Sequence, residues 1–135
     1  MAKNITILFL ICSFFTINSQ NLNIDFRIPF EKSNGTETST YFETIDYYKS
    51  LAKKYSEISI IEMGLTDSGF PLHLVIYDSS KKFDFKEIRE SKNVILINNG
   101  IHPGESDGID ATMMLLRDIV QTPNKTKQFE NTIIA

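Results

Sequence analysis

The order of apolar and polar residues along this chain predicts a helix that begins directly after Thr40. Thr40 and Glu43 match the capping box, a pattern in which each side chain binds a backbone N–H group of the other residue. Apolar residues then recur every three or four positions, which indicates one apolar helix face. The members of this face are Phe42, Ile45, Tyr48, Leu51, Ala52 and Tyr55. We interpret its aromatic residues as core packing rather than as ligand contacts.

Two strands are predicted after this helix, over residues 58–63 and 72–77, because both stretches are apolar and contain β-branched residues. The residues between them are rich in turn formers, so the two strands are expected to pair as a hairpin. His73 lies in the second strand, where packing or surface exposure explains a single histidine better than metal binding does. Residues 78–92 are charged and predict a solvated connection with a short helix, to which we assign no chemistry.

A strand, a loop and a helix are predicted next. Residues 94–97 form a short apolar run that is typical of a parallel strand buried on both faces. Turn formers end this run, and apolar residues with a helical period fill residues 109–120. The order of elements predicts an α/β fold with a mixed, mostly parallel sheet between helices. A fourth strand is expected to start at residues 132–135, with little room to pair.

The predicted loop carries the residues with the clearest candidate chemistry, His102 and Glu105. Imidazole and carboxylate both bind zinc, and catalytic zinc sites usually combine three protein ligands with one open position. Pro103 and Gly104 lie between them and favour a bend of defined shape. In α/β sheets, ligands bind at the carboxyl ends of strands, where this loop is expected. In the alternative interpretation, Ser106 caps the following helix and the acidic residues interact with the helix dipole.

The sequence around His102 and Glu105 resembles the zinc carboxypeptidases of the carboxypeptidase A type. The similar segments are the apolar strand with N-N-G, then I-H-P-G-E, D-G-x-D-A and L-L-R-D-I, and the G-x-T-x-x-G-x-P stretch at residues 64–71. In that family the histidine and glutamate of an H-x-x-E motif are the first two zinc ligands. The resemblance therefore assigns these roles to His102 and Glu105, with Zn²⁺ as the cofactor. Many members carry a small residue where this chain has Pro103, a departure that concerns the subfamily rather than the metal.

The resemblance implies an exported zinc metallocarboxypeptidase that hydrolyses the C-terminal residues of peptides. Its substrate would be a peptide or a cell-wall peptide, cleaved by a water molecule that zinc activates. Two other functions stay open: a zinc-dependent amino-acid deacylase of the same fold, and a non-catalytic relative that binds peptides or cell walls. The H-P-G-E sequence favours the peptidase, because the related deacylases tend to show G-x-H-G-N-E.

The resemblance covers about residues 40–135 and corresponds to the N-terminal part of the family's catalytic domain. The family's third zinc ligand, its substrate-binding arginines and its catalytic glutamate come later, so no catalytic residue is assigned in this chain. Two ligands are one fewer than usual, so weak zinc binding is expected. We also expect an open sheet edge and uncovered apolar helix faces. The fragment is therefore expected to be inactive and to fold poorly by itself, and a truncated reading frame is a further alternative.

Residues 1–19 have the three-part pattern of a secretory signal peptide. Lys3 gives a positively charged start, residues 5–17 are mostly apolar, and Ser19 is a small residue near the expected cleavage point. The apolar core is short for a membrane span, although an uncleaved anchor is the alternative. We therefore expect export to the periplasm or the extracellular space, with no stable membrane span after the leader is removed.

Residues 20–39 are interpreted as a linker or entry segment, with a short extended piece at residues 24–30. Cys12, the single cysteine of the chain, lies inside the predicted leader. The mature chain is therefore expected to contain no disulfide and no thiolate metal ligand. The formal net charge is −3 and no basic run is present, so nucleic acid is not an expected partner.

Overall fold

The computed structural model describes residues 24–88, 90–102 and 104–135, and the predicted signal peptide lies outside these residues. The elements in chain order are α1 (Pro29–Lys32), α2 (Tyr41–Lys54), β1 (Ile58–Leu65), β2 (Pro71–Tyr77), α3 (Phe85–Ile88), β3 (Asn93–Ile95), α4 (Asp107–Gln121), α5 (Pro123–Gln128) and β4 (Thr132–Ile134). Helices and a mixed sheet together confirm the predicted α/β fold. The expectation that the sheet is mostly parallel is wrong for the described residues, because two of the three strand pairings are antiparallel.

The sheet has the strand order β1-β2-β4-β3. β1 and β2 form the predicted antiparallel hairpin, β2 and β4 are also antiparallel, and β3 and β4 are parallel. The prediction that the fourth strand has little room to pair is wrong. β4 lies between two strands, with Ile134 opposite both Tyr77 of β2 and Ile95 of β3. Three residues are enough for this strand, because the backbone groups of β4 form hydrogen bonds with a neighbouring strand on each side.

The core lies between one face of the sheet and the helices α2 and α4. Its buried residues are Phe26, Ile28, Tyr48, Leu51, Ile58, Tyr77, Met113, Leu116, Ile119 and Ile134. α2 begins with the predicted capping box: the Glu43 N–H donates to the Thr40 hydroxyl, and the Thr40 N–H donates to the Glu43 carboxylate. Local capping and an apolar face thus fix this helix in the expected place.

The segment before α2 packs more closely than its composition indicates. Phe26 and Ile28 belong to the core, Ile28 has extended backbone angles, and α1 begins at Pro29, so helix replaces only the end of the expected extended piece. Arg117 of α4 holds this segment, because its guanidinium donates to the Phe26 carbonyl and to the Glu31 carboxylate. The same guanidinium also contacts the Asp118 carboxylate at 3.1 Å, and the arginine side chain is only 12% exposed. The interpretation of residues 20–39 as a linker or entry segment stays a prediction.

The prediction that residues 94–97 form a strand buried on both faces is wrong. β3 ends at Ile95, and the side chains of Val94, Ile95 and Leu96 are 46%, 45% and 72% exposed. β3 lies at the end of the sheet order and pairs with β4. An apolar run has the same composition in a central strand and in an edge strand, so the sequence pattern does not distinguish the two positions.

The connection between β2 and β3 contains the expected short helix, α3, but it is not solvated throughout. Asp78 is fully buried, and the ammonium of Lys92 donates to its carboxylate. The Ser80 hydroxyl donates to the same carboxylate at 2.6 Å, and the Lys82 N–H does so at 3.0 Å. This ion pair joins the two ends of the connection and was not predicted. Within the described residues, no helix combines the length and the apolar character needed to cross a bilayer.

Candidate metal centre

His102 and Glu105 lie in the loop that joins β3 to α4. Before the loop leaves the sheet, the parallel pairing of β3 and β4 continues for two more hydrogen bonds. The Ala135 N–H donates to the Ile95 carbonyl at 2.9 Å, and the Ile97 N–H donates to the Ala135 carbonyl at 2.7 Å. Ile97 also packs against the core. The start of the loop is therefore anchored at the carboxyl end of β3, the region where ligands bind in α/β sheets.

The two predicted metal ligands contact each other. Nδ1 of His102 and Oε1 of Glu105 are 2.9 Å apart, and a backbone hydrogen bond of 3.4 Å joins the Glu105 N–H to the His102 carbonyl. Both side chains are exposed, at 68% and 57%. An exposed pair of this kind stabilises a fold only slightly, because water screens its interaction. The arrangement therefore brings two ligand atoms to one point and leaves that point open to solvent.

The distance between these atoms fits a pair of zinc ligands. Zinc binds nitrogen and oxygen at about 2.0–2.2 Å, so two ligand atoms at tetrahedral angles lie about 3.4 Å apart. His102 Nδ1 and Glu105 Oε1 need to separate by about half an ångström to hold one ion between them. Side chains that are exposed can make this adjustment. Within the described residues, however, no group of three or more His, Cys, Asp and Glu side chains is placed to hold a metal.

The capping interpretation of this loop receives little support. Ser106 lies at the N-cap position of α4, but its backbone is helical and its side chain makes no capping hydrogen bond. Asp110, in the first turn of α4, is buried and accepts a hydrogen bond of 2.6 Å from the Thr38 hydroxyl. This carboxylate thus joins α4 to the segment before α2, a role that the sequence did not indicate. Glu105 makes its described side-chain contact with His102.

Glycine is required at two positions of the loop. Gly100 has φ +64° and Gly104 has φ +85°, both in the left-handed region that other residues rarely adopt. Gly104 therefore supplies the bend that was expected between the two ligands. The predicted contribution of Pro103 to this bend lies outside the described residues.

The other histidine, His73, lies in β2 and not in the loop that carries the candidate pair. His73 lies opposite Glu62 in the β1–β2 hairpin, and its ring is 6.5 Å from that of Tyr41. Among the described atoms, its buried Nδ1 has no hydrogen-bond partner. The structure does not bring His73 into a group with His102 and Glu105. These contacts agree with the expected packing position of a single strand histidine.

An open cleft of about 510 Å³ lies elsewhere, beside Arg117 and the segment before α1. Its charged side chains are paired with one another: Arg117 with Glu31 and Asp118, and Arg27 with Asp25. The hydrogen bond from Arg117 lowers the pKa of the Glu31 carboxyl, although burial acts in the opposite direction. Because each carboxylate already has a cation as partner, this cleft carries no evident chemistry.

No role beyond the N-N-G turn is predicted for Asn99 from the sequence, and no role is predicted for Thr112. Asn99 fits a turn and Thr112 is one polar residue within an apolar helix, so neither carries a signal that distinguishes it from a surface residue. In the structure the Asn99 amide donates to the Thr112 hydroxyl at 2.7 Å, which joins the loop to α4.

A known protein family matches most of this chain. The sequence model of the zinc carboxypeptidase family matches residues 44–134, a stretch that includes the sheet, α4 and the loop with His102 and Glu105. No curated protein matches the chain significantly. Because the family match covers more than half of the 135 residues, the chain belongs to the zinc carboxypeptidase family.

Proposed function

We propose that His102 and Glu105 are the first two ligands of a catalytic zinc ion in a metallocarboxypeptidase that hydrolyses the C-terminal residues of peptides. The observation that carries this proposal is the 2.9 Å contact between Nδ1 and Oε1 at the carboxyl end of β3. Family membership supports the chemistry, since zinc carboxypeptidases act on peptide substrates with zinc as the usual metal.

Each residue of the pair has a distinct task. His102 offers a neutral nitrogen donor, and Glu105 adds a negative charge that offsets part of the charge of the ion. Zinc, when bound, lowers the pKa of a water molecule to about 7 and polarises a carbonyl group. The exposure of both side chains leaves room for a peptide and a water molecule beside them. Because both ligands must be deprotonated to bind, acidification is expected to weaken zinc binding.

The proposal assigns a half-site to this chain, by which we mean a metal site with two of the three usual protein ligands. Within residues 24–88, 90–102 and 104–135, no third His, Cys, Asp or Glu side chain is grouped with the pair. We therefore expect weak zinc binding and no peptidase activity from the chain by itself. We further propose export through the leader at residues 1–19, on the evidence of its polar, apolar and small-residue regions.

Zinc binding to the full chain tests the half-site. We expect measurable affinity in a competition assay with a chromophoric chelator, and a loss of at least about tenfold in His102→Ala and in Glu105→Ala. His73→Ala is the matched control, because it removes the other histidine and leaves the loop unchanged. Equal affinities in the parent chain and in both loop variants would contradict the proposal, as would an equal loss in His73→Ala.

A further inference from the structure

A chain of hydrogen bonds closes the base of the loop that carries His102 and Glu105. The Asn99 amide donates to the Thr112 hydroxyl at 2.7 Å, and that hydroxyl donates to the Gly108 carbonyl at 2.8 Å. Asn99 precedes His102 by three residues, and Gly108 follows Glu105 by three. The contacts therefore join the two ends of the segment that contains both proposed ligands.

The contact between Asn99 and α4 depends on glycine at position 108. A Cβ atom at Gly108 would lie 2.5 Å from Oδ1 of Asn99 and 3.1 Å from its Cγ, so the amide lies directly against the helix backbone. Gly100 repeats this arrangement one residue later, where a Cβ atom would lie 2.8 Å from Cδ1 of Ile109. Asn99 and Gly100, at the N-terminal flank of the loop, therefore lie close against the first turn of α4.

α4 is itself held firmly at this end. Asp110, buried in its first turn, accepts a hydrogen bond of 2.6 Å from Thr38, and Met113 belongs to the core. The exposed side chains of His102 and Glu105, by contrast, contact each other at the outer part of the loop. The position of the pair therefore depends on how its backbone is attached to α4.

We propose that Asn99, Gly108 and Thr112 form a brace that positions the loop for metal binding. This inference rests on the proposed function of His102 and Glu105. The three residues do not touch the metal position; they fix the backbone from which both ligands project. Residues that orient metal ligands commonly change metal affinity by about tenfold to a hundredfold when they are substituted.

The first test removes the hydroxyl of the brace. Thr112→Val is expected to weaken zinc binding by the full chain about tenfold, whereas Thr112→Ser, which keeps the hydroxyl, is expected to bind within about twofold of the parent. Thr126→Val is the matched control, because it removes a helix hydroxyl that donates to the Ile119 carbonyl at 2.7 Å, away from the loop. The control is expected to leave zinc affinity unchanged.

The second test separates loop position from general stability. In Gly108→Ala, the added methyl group displaces Asn99, but alanine favours the helix over glycine by up to about 1 kcal/mol. The melting temperature of this variant is therefore expected to stay the same or to rise while zinc affinity falls. A variant that lost affinity only through unfolding would show the opposite change in melting temperature.

A third readout needs no metal. The ¹⁵N heteronuclear NOE values of the amides at residues 100–102 and 104–106 report whether the loop is ordered in the metal-free chain. We expect lower values in Thr112→Val and Gly108→Ala than in the parent and in Thr126→Val. Unchanged values in both variants would overturn the brace, whatever the zinc data show. A different pair of results would separate the two proposals. If both variants show lower values but zinc binding by the parent chain does not depend on His102, the brace is supported and the proposed function is refuted.

Discussion

The buried ion pair between Asp78 and Lys92 gives the sharpest prediction about stability. We consider the substitution Lys92→Met, which keeps the length of the side chain and removes its charge. Asp78 is fully buried and Lys92 is only 12% exposed, so water cannot replace the missing ammonium without a rearrangement. Removing one partner of a buried pair typically costs about 3–5 kcal/mol. We expect the lower end, about 3 kcal/mol, since the hydrogen bonds from Ser80 and Lys82 to the carboxylate remain.

The pH dependence of this loss follows from the ionisation of Asp78. Burial by itself would raise the pKa of this carboxyl, but the hydrogen bonds from Lys92, Ser80 and Lys82 outweigh burial and lower the pKa below 3.8. In the parent chain the ionised carboxylate therefore contributes stability at neutral pH, and this contribution is lost as the pH falls below about 4. Lys92→Met removes the hydrogen bond from the ammonium, so the pKa of Asp78 is expected to be higher in the variant than in the parent chain. The cost of the substitution is therefore expected to be smaller at pH 4 than at pH 7.

Urea unfolding followed by circular dichroism at both pH values measures this effect. With a urea m-value of roughly 1–3 kcal/mol per molar, a loss of about 3 kcal/mol lowers the midpoint by about 1–3 M at pH 7. Lys81→Met is the matched control, because Lys81 pairs with Glu57 at 3.3 Å on the surface and is 53% exposed. Its effect should stay within about 0.5 kcal/mol.

Two results would refute this reasoning. One is a free-energy loss at pH 7 that is no larger in Lys92→Met than in Lys81→Met. The other is a loss that grows as the pH falls. The double variant Asp78→Asn/Lys92→Met adds a further check, since removing the buried charge should recover a substantial part of the stability lost in Lys92→Met.

Two further predictions concern the periphery of the fold. Arg117→Met removes the hydrogen bonds to the Phe26 carbonyl and the Glu31 carboxylate, so trypsin should cleave the full chain several times faster at the exposed Arg27. Lys125→Met is the control: it breaks the surface pair with Asp118 and should not change the cleavage rate. Leu96→Lys places a charge on a side chain that is 72% exposed, so self-association measured by sedimentation velocity should fall while the unfolding free energy changes by less than about 0.5 kcal/mol.

The elements that depend on local signals could be predicted from the sequence. The capping box at Thr40 and Glu43 marks the start of α2, and turn formers between two apolar stretches mark the β1–β2 hairpin. The apolar face of α4 could also be predicted, because the helical period of its apolar residues depends on nearby residues alone. The contact between His102 and Glu105 is also a local feature, because it depends on a separation of three residues across a glycine bend.

The features that depend on distant parts of the chain could not be predicted. Nothing in the run at residues 94–97 shows that β3 lies at an edge, and nothing near Thr132 shows that β4 enters the middle of the sheet. The lysine that pairs with Asp78 lies 14 residues away, and the threonine that donates to Asp110 lies 72 residues away. A single sequence carries no record of such pairings. Both carboxylates therefore look like ordinary surface acids until the fold places them in its interior.

The position of β4 has a consequence for the order in which a newly synthesised chain becomes structured. The hairpin of β1 and β2 spans a five-residue turn and can close once residue 77 has been made. β3 must wait for β4, because Thr132 follows its partner Asn93 by about forty residues. At about 5–20 residues per second, a ribosome needs about two to eight seconds to supply them. During that interval Val94 and Ile95 lack a partner strand, so the sheet edge from which the metal loop departs is set later than the hairpin.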